Sequence, residues 1–166
     1  MNIFELYKIE IKKIIIKYKD QLNLLNELNF NGVQVETPPD KFNCDLSTNA
    51  PMVIGKQNKI SPIDLAKKIG DILLIEIKDF KKVELAGPGF LNITLSEIAL
   101  SKHIKEILSK PKNYGSYNNN KNYNIEFVSA NPTGPMHVGH CRGAIYGDVL
   151  SNLLKFNKNK VTKEYY

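Results

Sequence analysis

Across residues 3 to 28 the apolar positions Ile3, Tyr7, Ile11, Ile14, Tyr18, Leu22 and Leu25 recur every three or four residues, which predicts one long amphipathic helix. Asn31-Gly32 supplies a left-handed stop for it. Val33 and Val35 then alternate with polar neighbours as a short strand, which Thr37-Pro38-Pro39-Asp40 ends. A loop follows through Asn43-Cys44-Asp45, and residues 47 to 59 read as a short helix. Ser61-Pro62-Ile63-Asp64 combines an N-cap hydroxyl, a proline at the first helical position and an acid in the first turn. The next helix is therefore expected to begin at Pro62 and to run toward Leu74. Val83-Glu84-Leu85 and Phe90–Leu95 are expected strands on either side of the turn Ala86-Gly87-Pro88-Gly89. Ser96, with Ala99, Ile104, Ile107 and Leu108 behind it, predicts one more helix.

Residues 111 to 122 have no periodic apolar pattern and are rich in turn formers, so they are read as a linker between domains spanning 1–110 and 123–166. Beyond it, residues 123 to 128 predict a strand and 129 to 136 a Pro/Gly loop. Residues 137 to 155 predict a helix with Val138, Cys141, Ile145, Val149 and Leu153 along one side. Residues 162 to 166 are a candidate second strand. The expected fold is an α+β amino-terminal domain, helices packed on a small antiparallel sheet. It is followed by the first β-loop-α-β part of an incomplete Rossmann-like α/β domain.

Composition narrows the function classes. The 166 residues include 23 basic and 17 acidic side chains, a formal charge of +6. That balance favours a polyanionic partner such as nucleic acid. Arg142 is the only arginine, and Ile, Asn and Lys are abundant, the pattern an AT-rich coding sequence produces without selection on charge. The longest apolar run is Ile72-Leu73-Leu74-Ile75, far below the roughly 20 residues that span a bilayer. The charged amino terminus lacks the features of a secretory signal, so a cytoplasmic location and no membrane partner are expected. Cys44 and Cys141 are far apart and without metal-ligand neighbours, so both read as ordinary thiols and no metal site is expected.

The chemistry concentrates in residues 125 to 140, IEFVSANPTGPMHVGH. Prolines and a glycine fix a loop leaving the carboxyl end of a strand, where open α/β sheets bind ligands. His137 and His140, three residues apart at the start of a helix, project in similar directions. Free backbone N–H groups there, and the helix dipole, favour a phosphate. Gly139 between them leaves room for a planar ring such as adenine to approach the backbone. Zinc through the same pair would need further ligands, and none is arranged nearby. In the first domain, Phe90 and Asn92 are i and i+2 on a strand and share a face. An aromatic ring that stacks on a base beside an amide that reads its edge is how unpaired RNA is recognised, although Phe90 in the core is an equal alternative.

The run Glu126-Phe127-Val128-Ser129-Ala130-Asn131-Pro132-Thr133-Gly134-Pro135-Met136-His137-Val138-Gly139-His140 resembles that of the arginyl-tRNA synthetase family. So do Cys141-Arg142-Gly143-Ala144, Gly147-Asp148 and the residues 161 to 166 that follow it. Residues 42–49 and 86–93 resemble that family's amino-terminal domain in the same order. The resemblance implies a class I ligase that joins L-arginine to ATP, with Mg2+, releases pyrophosphate and passes the arginyl group to tRNA(Arg), activation generally requiring bound tRNA. It implies His137, Gly139 and His140 as ATP-binding residues, the two histidines being catalytic. Glu126, Ser129, Asn131 and His137 are implied for arginine, and Phe90 and Asn92 for the tRNA D-loop. Cys44 departs from a glycine in an F-G-D-type turn, and is strained if that position needs positive φ.

The family's second nucleotide motif and its helical anticodon-binding domain are not within these residues. The chain alone is therefore expected not to activate arginine, to leave the apolar faces of 123–166 partly uncovered, and to work with a complementary carboxy-terminal chain if one exists. A free-standing tRNA-binding module made of residues 1–110, and an unrelated small nucleotidyltransferase using the H-x-G-H, are the alternatives.

Overall fold

A computed structural model describes residues 2–25, 27–116 and 118–166. Met1, Asn26 of the first expected helix and Tyr117 of the expected linker lie outside the described residues. The chain divides into two compact units, residues 2–112 and 113–166.

The first unit contains α1 (Ile3–Lys17), β1 (Val35–Glu36), β2 (Leu46–Thr48), α2 (Ala50–Asn58), α3 (Pro62–Glu76), β3 (Phe80–Ala86), β4 (Phe90–Leu95) and α4 (Glu97–Ser109). Its four strands form an antiparallel sheet in the order β1-β2-β4-β3. Leu46, Leu91 and Ile93 point from the sheet into a core completed by Tyr7, Ile11 and Ile15 of α1 and by Leu65, Ile69 and Leu73 of α3. Each of these fully buried aliphatic side chains contributes about 1.5–3 kcal/mol by leaving water. The α+β arrangement is as expected.

Several boundaries differ from the pattern: β3 begins at Phe80, β5 ends at Glu126 and β6 spans Lys160–Glu164, and two helix ends move further. The first helix stops at Lys17, not near Leu28. Asn23 takes the left-handed conformation at φ 56°, and the Leu24 N–H reaches back to the Lys19 carbonyl at 2.9 Å, closing the following turns. Leu22 and Leu24 stay buried, so the apolar rhythm outlasts the helix. Gly32, with φ 85°, serves the tight turn in which Val33 bonds back to Phe30. Ser47 and Thr48 belong to β2, and α2 starts only at Ala50. There the Thr48 hydroxyl accepts from the Ala50 N–H at 3.2 Å, and Pro51 occupies the first turn. Ser61 caps α3 as the sequence predicts, and Ser96 caps α4, accepting from the N–H groups of Asp64 and Ala99 respectively. Cys44 is not among the residues at positive φ, so that turn carries no strain there.

A buried polar knot holds α4. The Tyr7 hydroxyl donates to Asp79 Oδ2 at 3.1 Å and meets His103 Nε2 at 3.0 Å. Ala99 and His103, one turn apart, are the buried residues of α4. Burial and the neighbouring Asp79 carboxylate push the Tyr7 hydroxyl well above its ordinary pKa.

The second unit is a β-loop-α-β unit: β5 (Asn122–Glu126), α5 (Val138–Phe156) and β6 (Lys160–Glu164), with β5 and β6 parallel neighbours. Parallel strands need a crossover, and α5 provides it. The helix turns its small residues inward: Gly147 and Ser151 are buried, and the Ser151 hydroxyl donates to the Gly147 carbonyl. The Phe127 ring occupies the space a side chain at 147 would need. Asn159 ties the far end together, its amide donating to the Leu154 carbonyl and accepting from the Lys121 N–H. Val138, Ile145, Val149 and Leu153 on the other side of α5 are exposed, Val138 at 86%.

Candidate functional site

Because β5 and β6 are parallel and in register, their carboxyl ends lie at one edge, and the loop 127–137 springs from it. Glu126 is the last residue of β5, exposed and directly opposite Glu164 on β6. Two neighbouring carboxylates favour a cation at that edge. Glu164 was invisible to pattern reading, since only the strand register brings it beside Glu126.

Past Glu126, Val128 and Ser129 take φ of 71° and 41°. Left-handed backbone is unfavourable for any side chain and most so for β-branched valine, costing of order 1–3 kcal/mol per residue. The strain falls between Glu126 and Asn131, the residues implied for arginine. Ser129 is half-buried and its hydroxyl accepts from the Tyr166 N–H at 3.4 Å. Asn131 is exposed, and its carbonyl accepts from the Thr133 N–H at 2.8 Å.

The histidines sit together. His137 is the N-cap of α5 and His140 lies in its first turn; their rings stack with centroids 3.9 Å apart and planes 25° from parallel. His137 Nδ1 accepts from the Gly139 N–H at 3.1 Å, and His140 Nδ1 accepts from the His137 N–H at 3.2 Å. In a neutral ring whose Nδ1 accepts, the proton is on Nε2. Both Nε2–H groups are thus left as donors, on rings that are exposed at 137 and half-buried at 140. This changes one expectation. The Gly139 N–H goes to the His137 ring and the His140 N–H to the His137 carbonyl, so the helix start offers an anion chiefly imidazole donors instead of bare amides. Gly139 also has a local reason: a Cβ there would come within 2.9 Å of the His137 ring.

Helix α5 is further tied to β6 by Lys163, whose ammonium bonds Asp148 at 2.5 Å. That contact holds the Asp148 carboxyl below the usual carboxylate range.

In the first unit, Phe90 and Asn92 line one groove of about 240 Å³ with Glu36, Lys41, Phe42 and Ser47. Phe90 is half-buried and stands at the groove, outside the buried core cluster. The Lys41 ammonium lies 5.1 Å from the centroid of the Phe42 ring. Phe42, Lys41 and Ser47 were not singled out from sequence; they join the groove through the fold of the 37–47 loop onto the sheet. A larger groove of about 650 Å³ runs beside α1, lined by Glu5, Lys8, Lys12, Glu27 and Phe30 among others. Its acids and lysines balance, which gives it no preference for an anion.

Comparison with known proteins gives the following. Residues 6–95 match the family described as the arginyl tRNA synthetase N terminal domain, and residues 103–166 match the class I (R) tRNA synthetase catalytic domain. The arginine–tRNA ligase of Pelagibacter ubique is 49% identical over 168 aligned residues, covering all of this chain and 29% of that protein. The Rickettsia bellii ligase is 45% identical, with 28% of it covered. The chain therefore spans less than a third of the length of the curated relatives it matches. Among solved structures, the Plasmodium falciparum arginyl-tRNA synthetase aligns with 99% of this chain at a TM-score of 0.65 and 19% identity, 31% of that chain being covered. The Thermus thermophilus enzyme aligns with 96% at a TM-score of 0.54 and 21% identity, over 25% of its length. At these identities the structural likeness speaks for the fold.

Proposed function

Since this chain belongs to the arginyl-tRNA synthetase family, we propose that it carries the tRNA-binding and nucleotide-binding part of an arginine–tRNA ligase. The reaction is ATP, as its Mg2+ complex, plus L-arginine and tRNA(Arg), giving arginyl-tRNA, AMP and pyrophosphate. Residues 1–110 are the domain that meets the tRNA D-loop, 111–122 the linker, and 123–166 the start of a Rossmann-like catalytic domain. The remaining strands of that domain come from the rest of the enzyme, on the same or a complementary chain, and the protein works in the cytoplasm.

The observation that carries this reading is the pair of stacked imidazoles with both Nδ1 atoms engaged locally, which leaves both Nε2 atoms for a ligand. Attack of the arginine carboxylate on the α-phosphorus shifts negative charge onto the phosphate oxygens. Preplaced donors that gain strength as that charge develops lower the barrier. His137 and His140 hold the phosphates, Gly139 lies beneath adenine, and Glu126 faces the guanidinium, a pairing strengthened by charge-assisted hydrogen bonds. Ser129, Asn131 and His137 take the other polar groups of the amino acid. The left-handed backbone at Val128 and Ser129 supports this placement, because strain of that kind collects where a loop must hold a ligand.

Phe90 stacks on an unpaired base and Asn92 reads its edge. The exposed apolar side of α5 supports the incomplete catalytic domain, for a contiguous apolar helix stripe is normally buried against another element. A chimera tests the whole reading. This chain replaces the matching 29% of the Pelagibacter ubique ligase, and arginylation of tRNA(Arg) is measured. Arginyl-tRNA formation is expected from the chimera, and no arginine-dependent pyrophosphate exchange from the chain alone. A folded, tRNA-binding chimera that makes no arginyl-tRNA overturns it.

A further inference from the structure

The register of the antiparallel sheet sets four side chains in one row across its outer face. Glu36 on β1 lies opposite Ser47 on β2, Ser47 opposite Asn92 on β4, and Asn92 opposite Glu84 on β3. The two ends of the row are exposed, whereas Ser47 and Asn92 in the middle are only 5% and 7% exposed. The Ser47 hydroxyl donates to Asn92 Oδ1 at 2.9 Å. No described residue accepts from Asn92 Nδ2, which makes it the polar end the amide has left for the groove it lines with Phe42 and Phe90. The unpartnered nitrogen keeps contact with water in the groove, and an acceptor on a bound ligand would take that water's place.

An asparagine amide turns about a broad terminal torsion, and its two ends are nearly the same size. Left alone, it would present oxygen or nitrogen to a ligand. We infer that Ser47 is a positioning residue for base recognition: by holding Asn92 Oδ1 it turns Nδ2 into the groove, which therefore takes an unpaired base through a hydrogen-bond acceptor on its edge. The inference rests on the proposal that this groove meets tRNA. Phe42 and Phe90 supply aromatic surface for stacking, which every base satisfies, so selectivity falls to the Ser47–Asn92 pair. Lys41 offers an ammonium at the rim for a phosphate, and the Glu36 carboxylate disfavours one on its own side.

The test uses the full chain and transcripts of tRNA(Arg) in which each D-loop nucleotide in turn is made abasic, with affinity read by fluorescence anisotropy. One abasic position is expected to weaken binding, and Phe90→Ala to produce the same loss on the intact transcript with none added at that position. Ser47→Ala is expected to weaken the intact transcript roughly fivefold, the worth of one ordinary hydrogen bond, and to leave the abasic transcript bound as by the parent chain. Ser47→Thr, which keeps the hydroxyl, is expected to restore the parent pattern. Asn92→Asp keeps the acceptor for Ser47 but has no donor for the base, and is expected to lose more than Ser47→Ala. If Phe90→Ala and every abasic transcript bind like the parent, the tRNA reading of the groove falls and this inference with it. If those respond while Ser47→Ala binds like the parent, or weakens intact and abasic transcripts equally, only the role of Ser47 is overturned. Should Ser47→Ala unfold in a thermal melt, Asn92→Asp decides, and parent-like discrimination by it overturns the inference.

Discussion

Replacing Gly147 by alanine tests how α5 is seated on β5, and hence how the loop between them is aimed. An added Cβ would lie 2.2 Å from Phe127 Cγ, 2.4 Å from Phe127 Cβ and 2.6 Å from Cδ2, against the 3.4–4 Å of ordinary contact. A gap more than 1 Å too small cannot be closed by a bond-angle adjustment. It also cannot be met by swinging the far end of a flexible chain, since the nearest atoms are at the base of the ring. The helix or the residue must move, and overpacking of this kind costs about 1–3 kcal/mol. Against it stands the gain from alanine in a helix interior, about 1 kcal/mol relative to glycine. The net expectation is a loss of up to about 2 kcal/mol, confined to residues 113–166. Gly143, one turn earlier on the same helix, has nothing within 4 Å of its ideal Cβ. Gly143→Ala is therefore expected to stabilise the unit by about 0.5–1 kcal/mol. Amide hydrogen exchange along α5 measures both. Equal protection in the two variants would refute the packing of Phe127 against Gly147.

Three further outcomes follow from the first unit. The Glu76 carboxyl is held below the usual carboxylate range by hydrogen bonds from the Lys17 ammonium and the Tyr18 hydroxyl. With a depressed folded pKa, its contribution is fully present above the unfolded carboxylate value and lost as pH falls through the folded one; Glu76→Gln should flatten that acid limb of the stability curve measured by urea unfolding. Tyr7→Phe strips His103 Nε2 and Asp79 of a shared partner in a buried setting, and should cost about 1–3 kcal/mol in a thermal or denaturant melt, with exchange rising first in α4. Gly89→Ala is strained twice, by φ of 128° and by a Cβ 2.7 Å from Pro62 Cβ. It should lower the melting temperature more than Gly87→Ala, whose ideal Cβ meets nothing within 4 Å.

Element types came through the sequence where a single local rule decided them. The Ser61 cap, the proline at the start of α3 and the Ala86–Gly89 turn each fix backbone by local chemistry, and each falls where expected. The end of α1 did not, because an apolar rhythm reports which side chains go inward and says nothing about whether the backbone joining them is still helical. Leu22 and Leu24 are buried from turns stopped by Asn23. Ser47 and Thr48 look like helix-start residues and are strand residues, since pairing with β4 outweighs local preference.

The site divides in the same way. The histidine pair is local, so its proximity could be read from spacing along one helix. The engagement of both Nδ1 atoms could not, because it depends on ring rotation. Glu164 beside Glu126, and Ser47 beside Asn92, depend on strand register, which nothing within either segment specifies.

The proposed grip of the His137 and His140 Nε2–H groups on the phosphates of ATP is tested most directly in the chimeric ligase carrying His137→Ala and His140→Ala together. Arginine-dependent pyrophosphate exchange should fall by about a hundredfold or more. The affinity for tRNA should stay within about twofold, since the two histidines lie in the second unit and do not line the Phe90–Asn92 groove. Undiminished exchange without either imidazole would contradict the account.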